Sequence, residues 1–499
     1  MKTFLILLLG LAVPTFADEL KGGFDPRDLW GPHFKPDRHH FPGVKRWARR
    51  HLDSVRRWNE IAIDASGFDH GSAREQLGPG RSSRALAIVH IAMFDAINAV
   101  VGRYENYTDV KVPHGPISLE AAVSQAAHDT LVALFPSQRE SLDALLLEDL
   151  TDIRGHLARK NGMTLGKRAA AAILALKAED GSEISEPQVG VEHITSNLAG
   201  RWRQDPISQI PLALGAYWGK CIPFVLESSS QFRAPPFPDM SSPEYAVSYD
   251  EVKRLGGDGV ITPTERTADQ THAGIYWGYD GTPSLCAPPR LYNQIATTIA
   301  GQMRTDPIEL ARLLVLVNVA MSEATLTCWE SKYYYDIWRP VTGIRESDAG
   351  SGPTGAGDGN PATVGDPTWS PLGAPASNLN GPNFTPPFPA YPSGHATMGG
   401  SLFQILRRFY GTDRIRFTFV SDEFDGITRD NNGNVRPLIP RSFRTLSQAE
   451  EENGQSRIYL GIHWSYDKVE GIAMGRRVAD HVFDNAFAPI KHWHGGFKK

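Results

Sequence analysis

The sequence predicts an all-α fold: two helical bundles with long irregular connections and an active site in the C-terminal bundle. Four segments within the first 180 residues carry apolar side chains at three- and four-residue intervals, which puts them on one face of a helix. A second set of helical segments follows a stretch rich in Pro, Gly and aromatic residues. The residues able to do chemistry on an anion fall in that second set.

In chain order, Met1–Ala17 (MKTFLILLLGLAVPTFA) has one lysine, a short apolar stretch and a small residue before Asp18, the pattern of a secretory signal. The expected location is therefore secreted or periplasmic. The signal and later runs such as Leu313–Ala320 are too short to span a bilayer, so no transmembrane helix is expected. Helices are expected over Arg84–Gly102, Leu119–Phe135, Ser137–Ile153 and Thr164–Asp180, whose stripes can be buried as one bundle. Gly181–Asp258 reads as a connection with short elements. The second set is Gln270–Trp277, Pro289–Met303, Ile308–Ser347, Gly394–Tyr410, Ser447–Leu460 and Asp467–Phe487. Within it, Gly350–Pro392 is rich in Gly, Pro, Asn and Thr and reads as a long loop able to cover a site. The expected division is a signal peptide over 1–17, an N-terminal bundle and leader over 18–205, and a C-terminal helical domain over 206–499. No fixed-period repeat is present.

A chain of 499 residues can bury a sizeable core. Its net charge of −5 and 21% charged residues leave no broad basic surface for nucleic acid. An anion site must therefore be a local concentration of positive charge. The three cysteines, Cys221, Cys286 and Cys328, permit at most one internal disulfide and match no structural zinc spacing. Cys328 reads as a small buried residue. Asp430–Gly433 reads as a polar turn because the spacing and closing glutamate of a calcium loop are missing. Asn106-Tyr107-Thr108 fits a glycosylation acceptor, and His39-His40 reads as an exposed loop.

Three short segments carry the chemistry. In KYYYDIWRP, Lys332 and Arg339 lie seven positions apart, and on one continuous helix they share a face that can grip one anion; a solvated helix face is the other reading. PSGH offers the Ser393 hydroxyl, the Gly394 N–H and the His395 imidazole, with helix N-terminal potential added if a helix starts there. SRIYLGIHWSYD supplies Arg457 and His463, with Asp467 four residues on, where its carboxylate can reach the second imidazole nitrogen and fix the tautomer. On one unbroken helix Arg457 and His463 point about 120° apart, so a bend is expected near Gly461. Taken singly, His395 also fits a helix cap and His463 a core histidine.

Together and in this order, the segments resemble the signature of the vanadium-dependent haloperoxidase and type-2 phosphatidic acid phosphatase superfamily, in which vanadate and phosphate occupy equivalent sites. The similarity to vanadium chloroperoxidases is the stronger. WESK places Trp329 three residues before Lys332, FPAYPSGH places Phe388 seven before His395, and stretches such as Tyr276–Gly281, Ala287–Ala296 and Leu372–Asn380 are also alike. The resemblance covers roughly residues 210 to 490, while 80 to 180 match in helical character only. It departs at Met398 and over Phe417–Glu452, which bears on substrate access.

Carried over, the resemblance implies a vanadate (V5+) cofactor with His463 as the ligand to the metal. Lys332, Arg339, Ser393, Gly394 and Arg457 then hydrogen-bond its equatorial oxygens. His395 acts as acid/base where peroxide enters, its pKa depressed by the neighbouring cations. Trp329 and Phe388 line the halide side, and Asp467 and Asp280 support His463 and Arg457. The implied partners are hydrogen peroxide, chloride or bromide, and a small organic acceptor halogenated by hypohalous acid. Two other readings use the same parts: a vanadate-inhibited acid phosphatase with His463 as nucleophile, and a silent oxyanion-binding scaffold. The aromatics favour the haloperoxidase, because a phosphomonoesterase gains little from indole and phenyl groups beside its anion.

Overall fold

The computed structural model describes residues 27–35 and 53–490; the expected signal peptide and His39-His40 lie outside them. The first helical set is α1 (Arg27–Trp30), α2 (Ser54–His70), α3 (Gly78–Val101), α4 (Leu119–Leu134), α5 (Arg139–Asp152) and α6 (His156–Leu176). An irregular stretch leads to α7 (Pro243–Leu255), α8 (Ala268–Tyr276), α9 (Pro288–Gln302), α10 (Pro307–Tyr335) and α11 (Pro340–Arg345). The long loop then enters α12 (Gly394–Tyr410), followed by a small hairpin, α13 (Leu446–Tyr459) and α14 (Ser465–Asn485). The described residues are mainly helical, as the apolar periodicity predicts.

Two helices, α2 and α7, fall where the sequence reading expected leader and connection. In α2 the buried face includes Arg57, Asn59, Asp69 and His70, which interrupt the apolar stripe. Helix α7 is capped by Ser242, whose side chain accepts from Tyr245 N–H, and starts with Pro243, where a missing N–H costs nothing. The hairpin pairs β1 (Phe417–Phe419) antiparallel with β2 (Arg441–Phe443), Phe417 opposite Phe443. Between them Asp430 accepts from the N–H groups of Asn432 and Asn434, a polar turn as expected.

One apolar core runs through both helical sets, with α3 lying against α10 and α4 against α6. Helices α3 and α10 are long and apolar enough to cross a membrane, and here both are core helices packed on one another. The three cysteines are buried free thiols.

The crossing of α12 with α14 sets the position of the active loops. At Gly475 an added Cβ would stand 2.0 Å from the Thr397 carbonyl oxygen, and at Gly471 it would stand 2.9 Å from Ala396 Cβ. The glycines let the two backbones touch, which brings the first turn of α12 beside the start of α14; Ser393 N–H donates to Asp467 O at 3.0 Å. Gly475→Val is expected to destabilise the fold by about 3 kcal/mol through overpacking, read as a drop in Tm from wild type.

Candidate active site

Each of the three sequence segments sits at a helix end. Trp329 and Lys332 occupy the last turns of α10, which stops because Asp336 takes the left-handed conformation (φ +55°). Arg339 is the extended N-cap of α11 and Pro340 its first residue. The expected continuous helix Ile308–Ser347 is thus broken, and Lys332 and Arg339 do not share a helix face. The physical reason is local: Pro340 disfavours a helical Arg339, so the chain turns before restarting. The two cations still converge, because both reach the 388–392 segment.

Ser393 is the N-cap of α12, its hydroxyl accepting from Ala396 N–H, so Gly394 and His395 form the helix's first turn. The third segment bends where expected: α13 ends at Tyr459, Gly461 is left-handed (φ +71°), and α14 begins at Ser465. An added Cβ at Gly461 would lie 2.5 Å from Gly256 O, so the turn needs glycine for both conformation and space. Arg457 and His463 reach the same cavity from opposite sides of that turn.

Hydrogen bonds fix the tautomer of both histidines. His463 Nδ1 donates to Asp467 Oδ2 at 2.7 Å, and that oxygen also accepts from Trp464 N–H at 3.0 Å. His463 Nε2 faces Arg339 Nη1 at 2.9 Å; a guanidinium only donates, so Nε2 carries the lone pair. His395 Nε2 lies 2.6 Å from the Gly278 carbonyl, which only accepts, so Nε2 carries the proton and Nδ1 is the basic nitrogen.

The cations are buried and partly unspent. Arg339 donates through Nε to Phe388 O (2.9 Å) and through Nη1 to Ile462 O (2.7 Å), while its Nη2 has no partner in the protein. Arg457 Nη2 donates to Asp280 Oδ1 at 2.6 Å, the pairing that the resemblance implied, and its Nε has no partner. Lys332 differs: Nζ donates to Pro389 O and Ala390 O at 2.9 Å and to Pro392 O at 2.5 Å. All three of its donors meet carbonyls, so a hydrogen bond to a bound anion costs one of these contacts.

Burial is the largest influence on every shifted group here; the cations add to it at the basic groups and oppose it at Asp467. It pushes Lys332 down to about 7, and His395 down to about 3 with Arg457 assisting. His463 is held well below the ordinary histidine value by burial and then by Arg339, Lys332 and Arg457. Burial also lifts Asp467 to about 7, opposed by the Trp464 N–H and the nearby cations. A buried cluster in which positive charge is disfavoured gains by taking an anion.

The side expected to take halide is built from two rings. Trp329 and Phe388 rings lie 4.8 Å apart at 58°, with Lys332 Nζ 5.1 Å and Arg339 Cζ 5.0 Å from the Phe388 centroid. The cavity above, about 50 Å³, has these rings and Met398 in its walls and His395, Arg457 and His463 among its polar lining. It has room for a few water-sized species.

Three supporting residues were not found from sequence. Asn453 Nδ2 donates to the His395 carbonyl at 2.9 Å, and the Tyr292 hydroxyl lies 2.8 Å from the same oxygen. Asn453 stands one helical turn before Arg457, which is the signal that could have marked it. Glu423 accepts from Tyr279 N–H (3.3 Å), Ser377 Oγ (2.6 Å) and Arg436 Nη1 (2.6 Å), bracing the turn that carries Gly278 and Asp280. It belongs to the stretch where the chain departs from the chloroperoxidases, so no motif pointed to it.

Comparison with known proteins agrees with this geometry. The family described as the VCPO second helical-bundle domain matches residues 312–492, which contain all three segments. The vanadium chloroperoxidase of Curvularia inaequalis is 29% identical over 494 residues, spanning 82% of this chain and 78% of that protein. The chain is thus similar to vanadium haloperoxidases over most of its length. Solved vanadium haloperoxidases share its fold: a bacterial vanadium-dependent iodoperoxidase superposes with a TM-score of 0.67 at 22% identity, covering 87% of this chain and 96% of that one. An apo-type bacterial vanadium-dependent chloroperoxidase gives 0.60 at 16% identity, covering 82% and 94%.

The residues present fit the vanadate that a vanadium haloperoxidase implies. Among the described residues no three His, Cys, Asp or Glu converge as they would around a metal cation. The site instead offers two lone-pair nitrogens, His463 Nε2 and His395 Nδ1, two unpartnered guanidinium N–H groups and a helix N-terminus, a set suited to an oxyanion carrying its own metal.

Proposed function

We propose that this chain oxidises bromide or chloride with hydrogen peroxide to hypohalous acid, which halogenates small organic acceptors, and that His463, Arg339, Arg457, Ser393 and Gly394 hold its vanadate. The observation that carries the reading is the His463 Nε2 lone pair, which accepts from Arg339 Nη1, in one site with the unpartnered N–H groups of Arg339 Nη2 and Arg457 Nε and in one cavity with the Trp329–Phe388 ring pair. When bound there, vanadate supplies a Lewis acid that activates peroxide for attack by halide without changing oxidation state.

The protein's own part is positioning, electrostatics and one proton. His463 Nε2 is the single protein ligand, oriented by Asp467. The unpartnered Arg339 Nη2 and Arg457 Nε would donate to oxyanion oxygens, and Lys332 would contribute charge. His395 is neutral at working pH, and its Nδ1 takes a proton from the incoming hydrogen peroxide. Trp329 and Phe388 receive a halide stripped of water while the nearby cations offset its charge. Because the donors are fixed before substrate arrives, little reorganisation accompanies turnover.

The decisive test is halogenation of monochlorodimedone by purified apoprotein with peroxide and bromide or chloride, before and after adding orthovanadate. Halogenation that appears only with vanadate is expected. Release of p-nitrophenol from p-nitrophenyl phosphate, blocked by vanadate and unaccompanied by halogenation, selects the phosphatase instead.

Asp467→Asn offers a finer check. A carboxylate can only accept from Nδ1, whereas an amide can donate to it and so move the imidazole proton onto Nε2. Vanadate affinity is expected to fall by about 10–100-fold, measured by equilibrium dialysis. An unchanged affinity removes Asp467 from the tautomer argument.

A further inference from the structure

We propose that Met398 is an oxidation site of the enzyme's own making: its thioether is converted to the sulfoxide by hypohalous acid formed in the cavity, and turnover slows as a result. The inference rests on the haloperoxidase reading. Met398 lies on α12 three residues after His395 and four after Gly394, on the face that looks into the cavity. It is 1% exposed to bulk solvent, yet it forms part of the cavity wall. A Cβ built on Gly394 would stand 3.8 Å from Met398 Cε and 3.1 Å from the Trp329 ring, so the thioether methyl lies alongside Gly394 near the halide-side indole.

Thioethers react with electrophilic halogen faster than rings or amides, and only thiols compete. None of the three cysteines lines this cavity. The cavity's small volume keeps a newly formed oxidant beside the sulfur before it can diffuse out. Hydrogen peroxide, halide and a proton give hypohalous acid and water; the acid's oxygen passes to sulfur, giving the sulfoxide, halide and a proton. Halide is regenerated, and one peroxide is consumed per methionine oxidised. The product replaces a soft apolar group with a polar oxygen beside Trp329, which alters the site that receives halide.

The other methionines provide internal controls. Met303 is 42% exposed, while Met93, Met321 and Met474 are at most 1% exposed and lie away from the cavity. An oxidant arriving from solution attacks Met303 first; one made in the cavity attacks Met398 first. The vanadate-loaded full chain is turned over with peroxide and bromide, with excess monochlorodimedone to consume released acid, and methionine oxidation is mapped by peptide mass spectrometry. Met398 sulfoxide is expected to lead Met303 by at least fivefold, and reagent hypobromite added to resting protein is expected to reverse that order. Halogenated trap with Met398 oxidised no more than Met303 overturns the proposal. Absence of any halogenated trap overturns the haloperoxidase reading beneath it. Met398→Leu, a volume-conserving change, is expected to slow the decay of activity during turnover by at least threefold relative to its own initial rate. A variant that decays as fast as wild type overturns the link to inactivation.

Discussion

His463→Ala is expected to abolish stable orthovanadate binding. His463 is the only imidazole in the cavity whose exposed nitrogen is a lone pair already aimed among the arginines, because Nδ1 is committed to Asp467 and Nε2 faces a donor. Removing a supporting partner of a ligand costs about 10–100-fold in affinity, and removing the only protein ligand must cost more. The remaining cations still attract anions, so a weak electrostatic association at millimolar vanadate is expected to persist and to weaken with salt. Asp467 loses its partner in this variant, but its carboxyl is already lifted to about 7 by burial and can become neutral, so the protein should fold. Equilibrium dialysis against orthovanadate, with thermal unfolding as a folding control, reads both. A folded variant that retains submicromolar affinity or full vanadate-dependent activity sinks the ligand assignment.

The parts of this site that were legible in sequence are those whose chemistry is fixed by short-range order. PSGH predicts a helix start because serine caps and glycine admits close approach, and α12 begins there. The angular mismatch between Arg457 and His463 predicts the bend that Gly461 supplies, and the four-residue offset predicts the Asp467 contact. Two elements differ because one local pattern hid another. Seven-residue spacing suggested one helix for Lys332 and Arg339, yet Arg339-Pro340 already carried the contrary signal, since a residue before proline resists the helical conformation. Helix α7 also had its signals, a Ser-Pro start and Tyr245, Tyr249 and Val252 on one face, masked by the surrounding Pro and Gly. Glu423 and Tyr292 are different in kind. Their roles depend on which distant backbone groups they meet, 144 and 103 residues away, and nothing in their own neighbourhood encodes that.

For His395→Ala the expected result is the opposite split: vanadate binding within about tenfold of wild type, but kcat lower by about 100-fold or more, the usual contribution of a positioned acid/base. His395 Nε2 donates its proton to Gly278 O, its Nδ1 is free to act as a base, and its backbone carbonyl is held by Asn453. Its pH behaviour supplies a second readout. In the protein alone burial and Arg457 hold it at about 3, below the ordinary 6.5, so the unfolded chain binds more protons between those values. Stability therefore falls as pH drops from about 6.5 toward 3, with a slope for this one group of about 1.4 kcal/mol per pH unit in mid-window. The alanine variant lacks that contribution, so its stability should fall less steeply over the same range. A bound oxyanion would oppose Arg457 and raise the imidazole pKa from that low value, so an acid limb is expected in the wild-type profile of kcat/KM for peroxide. Loss of that limb together with the flatter stability curve identifies one titrating group as both base and buried histidine. A variant with an unaltered rate, or one that keeps the acid limb, removes His395 from proton transfer and leaves it a structural residue at the head of α12.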